Sequence, residues 1–196
     1  DVFCTVEEGV KGKKAVDWRL IDEAVPTSKF ADRVREKAEE MVSTSDRPDN
    51  VTGITLSKLE RKLEEDKGQY KHVKFSIDRQ THTAVLTVSG PMEKLEYDLD
   101  KIVALGDKFW PLAVARELDD VLLHLRFNEP TIGTLVIKTE GSNDDVLACD
   151  AFLHSNKDDW LIREILLFWK RTLKRLDLTS RSLLAFIEPG SCFSGL

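Results

Sequence analysis

The chain reads as an α/β protein whose mainly parallel sheet is covered by packed helices. Three observations lead there. Short segments at 73–77, 83–89, 131–139 and 183–187 are apolar and rich in β-branched residues, as strands are. Longer segments at 111–127 and 158–177 repeat apolar residues at helical spacing. The resulting order is β, β, α, β, α, β, and a helix between successive strands is the crossover that joins parallel neighbours.

Taken in order, residues 13–18 read as a short helix and 20–26, ending at Pro26, as a short extended segment. Thr27 or Ser28 is placed to cap a helix in which Phe30, Val34, Ala38 and Met41 recur at helical spacing. Residues 43–53 are rich in Ser, Thr, Asp, Asn, Pro and Gly, the composition of a linker. Residues 56–66 predict a highly charged helix with a thin Leu stripe, a solvated face without chemistry.

A second block begins at Tyr70. Val73, Phe75 and Ile77 alternate with polar residues as in a half-buried strand, and 78–82 form a turn. Residues 83–89 are a more continuous apolar strand, ended by Gly90-Pro91. The helix at 111–127 aligns Val114, Leu118, Val121, Leu122 and Leu125. The strand at 131–139 carries Leu135, Val136 and Ile137. The helix at 158–177 aligns Ile162, Ile165, Leu166, Trp169, Leu173 and Leu176.

Hydrophobic residues make up 41% and charged residues 33% of the 196, enough apolar content for a core. The net charge of −6 gives no pull toward nucleic acid or anionic lipid. Apolar runs fall well short of the ~20 residues of a membrane span. Cys4, Cys149 and Cys192 show neither CxxC nor metal-ligand spacing, so no metal and no cofactor is expected, and a reduced cytoplasmic setting fits. His72, His82, His124 and His154 form no cluster. Asp119-Asp120, Asp144-Asp145 and Asp158-Asp159 are neighbours that do not share a helix face, which makes them poor acid/base dyads. Lys170, Arg171, Lys174 and Arg175 read as a solvated face, and Trp160 and Trp169 as core or interface aromatics.

Residues 12–26, Gly-Lys-Lys-Ala-Val-Asp-Trp-Arg-Leu-Ile-Asp-Glu-Ala-Val-Pro, are similar to the A-x-x-x-G-L-V-D-x-V-V-P segment that follows the catalytic core of a crotonase (enoyl-CoA hydratase) domain. Arg19 stands where Gly is usual. The second block resembles the start of another such domain. Residues 106–120, 169–177 and 180–193 are unusual for ordinary crotonases and look like the benzoyl-CoA-dihydrodiol lyases, a two-domain branch of that superfamily.

The resemblance implies a crotonase-like fold divided as 1–45, the tail of a first domain; 46–69, a linker; and 70–196, the beginning of an incomplete second domain. It implies a lyase that opens the ring of 2,3-epoxybenzoyl-CoA with two waters, leaving formate and a semialdehyde CoA thioester. The CoA thioester and a second copy, as a homo-oligomer (dimer), are the expected partners. The alternatives are a non-catalytic scaffold or dimerisation segment, or part of another hydratase- or isomerase-like enzyme. The chain starts within a helix-like pattern and stops on a turn after an apolar strand, so it is expected to be an internal piece. The family's catalytic carboxylates would then lie outside it, and the piece alone would be inactive.

The family also uses two backbone N–H groups to hold the thioester oxygen. The loop 141–151 and the Ser194-Gly195 turn stand at those places, making Ala148 and Gly195 the candidate donors. Cys149 occupies a usual Gly position, where a side chain obstructs close backbone approach, so a scaffold without a working oxyanion site is favoured.

Overall fold

The computed structural model describes residues 3–5, 7–46 and 53–193. It divides into two units, Asp1–Thr52 and Gly53–Leu196. In the first, α1 (Gly12–Asp17) and α2 (Phe30–Ser43) are joined by a connection without a strand, so the expected extended segment at 20–26 is irregular. Neither Thr27 nor Ser28 caps α2. They lie in a single 3-10 turn, and Lys29 precedes α2 with no side-chain cap. Instead Arg33 of α2 forks onto both carboxylate oxygens of Glu23 at 2.7 Å.

The end of α1 explains the departure noted at position 19. Leu20 N–H reaches the Ala15 carbonyl and Arg19 N–H the Val16 carbonyl, the paired bonds of a Schellman ending. That ending needs a left-handed residue just past the helix, and Arg19 has φ +57°. Glycine takes this conformation without a Cβ penalty; arginine does not.

The second unit is a mixed six-stranded sheet: β1 (Lys62–Leu63), β2 (Lys67–Gln69), β3 (Val73–Asp78), β4 (Thr83–Ser89), β5 (Thr134–Glu140) and β6 (Ser182–Ala185). Spatial order follows chain order. The expectation of a mainly parallel sheet is corrected here. β1 to β4 are antiparallel, and only β4–β5 and β5–β6 are parallel. The reason is connection length: tight turns return the chain antiparallel, whereas parallel pairing needs a crossover.

Four helices accompany the strands: α3 (Leu99–Leu105), α4 (Trp110–Asn128), α5 (Asn143–Ser155) and α6 (Trp160–Asp177). α4 and α6 match the periodic segments read from the sequence. β3 alternates strictly, with Val73, Phe75 and Ile77 inward and Lys74, Ser76 and Asp78 outward. Its Phe75 faces Leu86 of β4, which faces Ile137 of β5. Val114, Val121 and Leu125 of α4 and Ile162 and Ile165 of α6 join them in the core.

The charged helix expected at 56–66 is absent; residues 56–61 are irregular, 62–63 form β1 and 64–66 turn into β2. Helix propensity loses to specific anchoring on α4 and the 3-10 turn at Gly106–Lys108 that precedes it. Ser57 donates its N–H and hydroxyl to Asp107, each at 2.6 Å, and Arg116 binds both Asp107 and the Ser57 carbonyl. The Ser57 hydroxyl is the largest influence holding the Asp107 carboxyl below the usual range. Further along, Asp120 pairs with Arg61 and accepts the Tyr70 hydroxyl at 2.6 Å. Glu117, buried, accepts the N–H groups of His72 at 2.7 Å and Val73 at 3.0 Å.

Two outcomes follow. Arg19→Gly relieves the left-handed position and raises the stability of the first unit by about 1 kcal/mol, read as a shift in its denaturant midpoint; Arg19→Ala brings no such gain. Burial raises the Glu117 pKa, so its charge opposes folding as pH rises through the folded value. Glu117→Ala, which orphans two buried N–H groups, costs about 2–4 kcal/mol. Glu117→Gln keeps an acceptor and stays within about 1 kcal/mol of the parent at pH 7, and the parent gains on it as pH falls, measured by urea unfolding across pH.

Candidate functional site

In open α/β sheets, ligands bind beyond the carboxyl ends of the parallel strands. Here those are the ends of β4 and β5, where β4 runs into Gly90 and β5 into Gly141. The two glycines touch: a Cβ on Gly141, whose φ is +147°, would lie 3.2 Å from the Gly90 backbone and 3.4 Å from Cys192 Sγ. Behind this contact is an apolar cavity of about 230 Å³ bounded by Leu86, Trp110, Val146, Trp169, Cys192 and Phe193.

The cavity presents little chemistry. The indole N–H groups of Trp110 and Trp169 are spent on the carbonyls of Ser89 at 3.1 Å and Pro111 at 2.9 Å. Among the described residues no carboxylate lines it. Two carboxylates adjoining the lining residues Thr139 and Leu118 have other partners: Glu140 binds Lys74 and the Ser89 hydroxyl, and Asp119 lies 2.7 Å from Arg175. The backbone donors at the strand ends are spent too. Gly90 N–H bonds the Glu140 carbonyl at 2.8 Å, Gly141 N–H the Gly190 carbonyl at 3.0 Å, and Cys192 N–H the Thr139 hydroxyl oxygen at 2.8 Å.

The expected loop at 141–151 is mostly helix. Ser142 caps α5 by accepting the Asp145 N–H at 3.3 Å. Ala148 lies inside α5 on its exposed side, where helix geometry directs its N–H to the carbonyl four residues back. Cys149 is buried in the core, and Tyr97 stacks on Phe152 of the same helix at 5.1 Å. Gly195 lies outside the described residues.

The remaining candidates are scattered. His72 precedes β3, His82 sits in the β3–β4 turn at φ +52°, His124 is in α4 and His154 in α5. Of the basic run on α6, Lys174 pairs with Asp177 and Arg175 with Asp119. Trp169 is core, whereas Trp160 is about half exposed. Sequence reasoning missed the buried acid Glu117. A signal was present: it falls three residues after Val114 and four before Val121, on the apolar stripe of α4. A second, larger concavity of about 550 Å³ lies beside the loop after β4, lined by four lysines, two glutamates and a mostly apolar remainder.

The described helices include none long and apolar enough to cross a membrane. No protein-family model matches the chain. Over 195 residues it is 44% identical to benzoyl-CoA-dihydrodiol lyase of Aromatoleum evansii, a match covering 100% of this chain and 35% of that protein. The resemblance read from residues 106–120, 169–177 and 180–193 is thereby borne out. The chain spans about a third of the length of this relative.

The cysteines separate by environment. Cys4 is exposed, while Cys149 and Cys192 are buried, and burial pushes the Cys149 thiol up to about 12. A disulfide reagent at pH 8 is expected to titrate Cys4 promptly in the native protein and the other two only after unfolding. Prompt reaction at Cys149 would contradict this burial.

Proposed function

We propose that the chain serves a lyase of the benzoyl-CoA-dihydrodiol type, as a crotonase-like scaffold and not as its source of catalytic groups. The single observation that carries the lyase reading is the 44% identity to that enzyme along the whole chain. The reaction is the hydrolytic ring opening of 2,3-epoxybenzoyl-CoA, which consumes two waters and releases formate and a semialdehyde CoA thioester. Attack of water on an epoxide conjugated to a thioester drives charge onto the carbonyl oxygen. Fixed N–H donors in a dry pocket stabilise that charge, and carboxylates move the protons.

The scaffold assignment has its own support. The Gly90, Gly141 and Cys192 N–H groups are engaged at the strand ends, Ala148 lies in the interior of α5, and the cavity lacks a carboxylate among the described residues. In this reading residues 1–45 correspond to the tail of one crotonase-like domain, 46–69 to a linker and 70–196 to the beginning of the next. Ala148, inside α5, supplies no free N–H to an oxyanion. The CoA thioester is bound by the complete enzyme, a cytoplasmic homodimer.

Two measurements test it. Placed in the Aromatoleum evansii lyase in exchange for the matching segment, this chain is expected to sustain formate release from 2,3-epoxybenzoyl-CoA. A folded chimera without turnover sinks the lyase reading. The 196-residue chain by itself is expected to release no formate, and turnover by it alone would overturn the scaffold assignment.

A further inference from the structure

The first unit carries an apolar helix face without a cover. No residue of α2 is buried, although Phe30, Val34, Ala38 and Met41 recur along one side of it. At the start of the helix, Leu20, Ile21 and Val25 of the preceding connection form an open groove of about 410 Å³ with Phe30 and Val34. At its end, Met41 and Val42 stand 66% and 74% exposed. A contiguous exposed apolar patch marks a contact surface.

The groove and the protruding residues share one helix but cannot meet within one chain. Met41 lies about 16 Å beyond Phe30 along the helix axis. A second copy running antiparallel resolves both ends at once. Its Met41 and Val42 enter this groove, its own groove receives this pair, and Val34 faces Ala38 of the other copy. A surface that complements itself in this way is that of an isologous two-fold contact.

The charges beside the apolar face fit the same arrangement. On one flank Arg33 and Lys37 are neutralised within the chain by Glu23, Glu36 and Glu40. On the other flank Arg35 and Glu39 lie one turn apart, and neither has a partner among the described residues. A two-fold axis crossing the helix pair keeps each flank on its own side, so Arg35 of each copy comes opposite Glu39 of the other.

We propose that the apolar face of α2 docks on a second copy of this chain, packed antiparallel so that Met41 and Val42 of each copy fill the groove of the other. The expectation of two copies rests on the homodimer of the preceding reading. That reading is tested by formate release and this one by mass in solution, so either can fail alone.

The test is sedimentation equilibrium of the full chain over a concentration series. A species of twice the 22.3 kDa chain mass is expected. Met41→Lys/Val42→Lys places cations in the last turn of α2, which the helix itself tolerates. It is expected to raise the dimer dissociation constant about a hundredfold, with circular dichroism unchanged. Phe127→Lys, at a residue equally exposed at 74% but in the second unit, leaves the constant unchanged. Arg35→Glu weakens the dimer about threefold, and adding Glu39→Arg restores it. A monomer at every concentration overturns the proposal. So does a dimer that the α2 variant leaves intact, or one that Phe127→Lys weakens equally. A charge swap that does not restore the dimer overturns the antiparallel register.

Discussion

One turn of α4, from Arg116 to Asp120, organises the second unit. Arg116 holds Ser57 through Asp107, Glu117 holds the entry to β3, Asp119 meets Arg175 of α6, and Asp120 holds Arg61 and Tyr70. Four successive polar attachments thus issue from the element that also supplies Val114, Val121 and Leu125 to the core. The segment leading into the sheet is kept from forming a helix because its polar groups have partners on Asp107, Arg116 and Asp120. At the other end of α4, Arg181 gathers the carbonyls of Leu125, Glu129 and Ile132 within 2.8 Å and fixes the approach to β6. A helix end that leaves carbonyls over is satisfied here by a residue some fifty positions away.

The legible parts of the sequence were those where periodicity and burial agree. β3 lies where alternation placed it, β4 where a continuous apolar run ended by Gly90-Pro91 did, and α4 and α6 nearly where their helical periodicity did. The failures share a cause. Residues 56–66 have the composition of a helix, and what keeps them out of one is Asp107 and Asp120, far along the chain. α5 was hidden because Gly-Ser-Asn-Asp-Asp at its start resembles a loop. Ser142 with Asp145 three residues on is equally a capping pattern, and Val146, Cys149 and Leu153 follow at helical spacing. The direction of the sheet was misjudged because two real crossovers were generalised to strands joined by turns.

The candidate site was less legible than the fold. Segments 106–120, 169–177 and 180–193 identified a relative, but the geometry around them is occupied by structural duties. The residues most specific to the resemblance, among them Asp107, Trp110, Trp169 and Arg181, fasten helices and strands together. Identity shared with an enzyme therefore reflects architecture here as much as chemistry. His72 was passed over for the opposite reason: nothing in a lone histidine before a strand reveals that the fold will bury it to 5% exposure.

The order of the strands has a kinetic meaning. Each strand pairs with the one made just before it, from β1 through β6. During synthesis, β1 to β4 can assemble as successive hairpins with short loop closures as soon as they emerge, before any crossover is complete. β5 and β6 then add in turn, each after its own helix has been made. No strand has to be inserted between two already paired, so the sheet can grow in one direction at the pace of the ribosome.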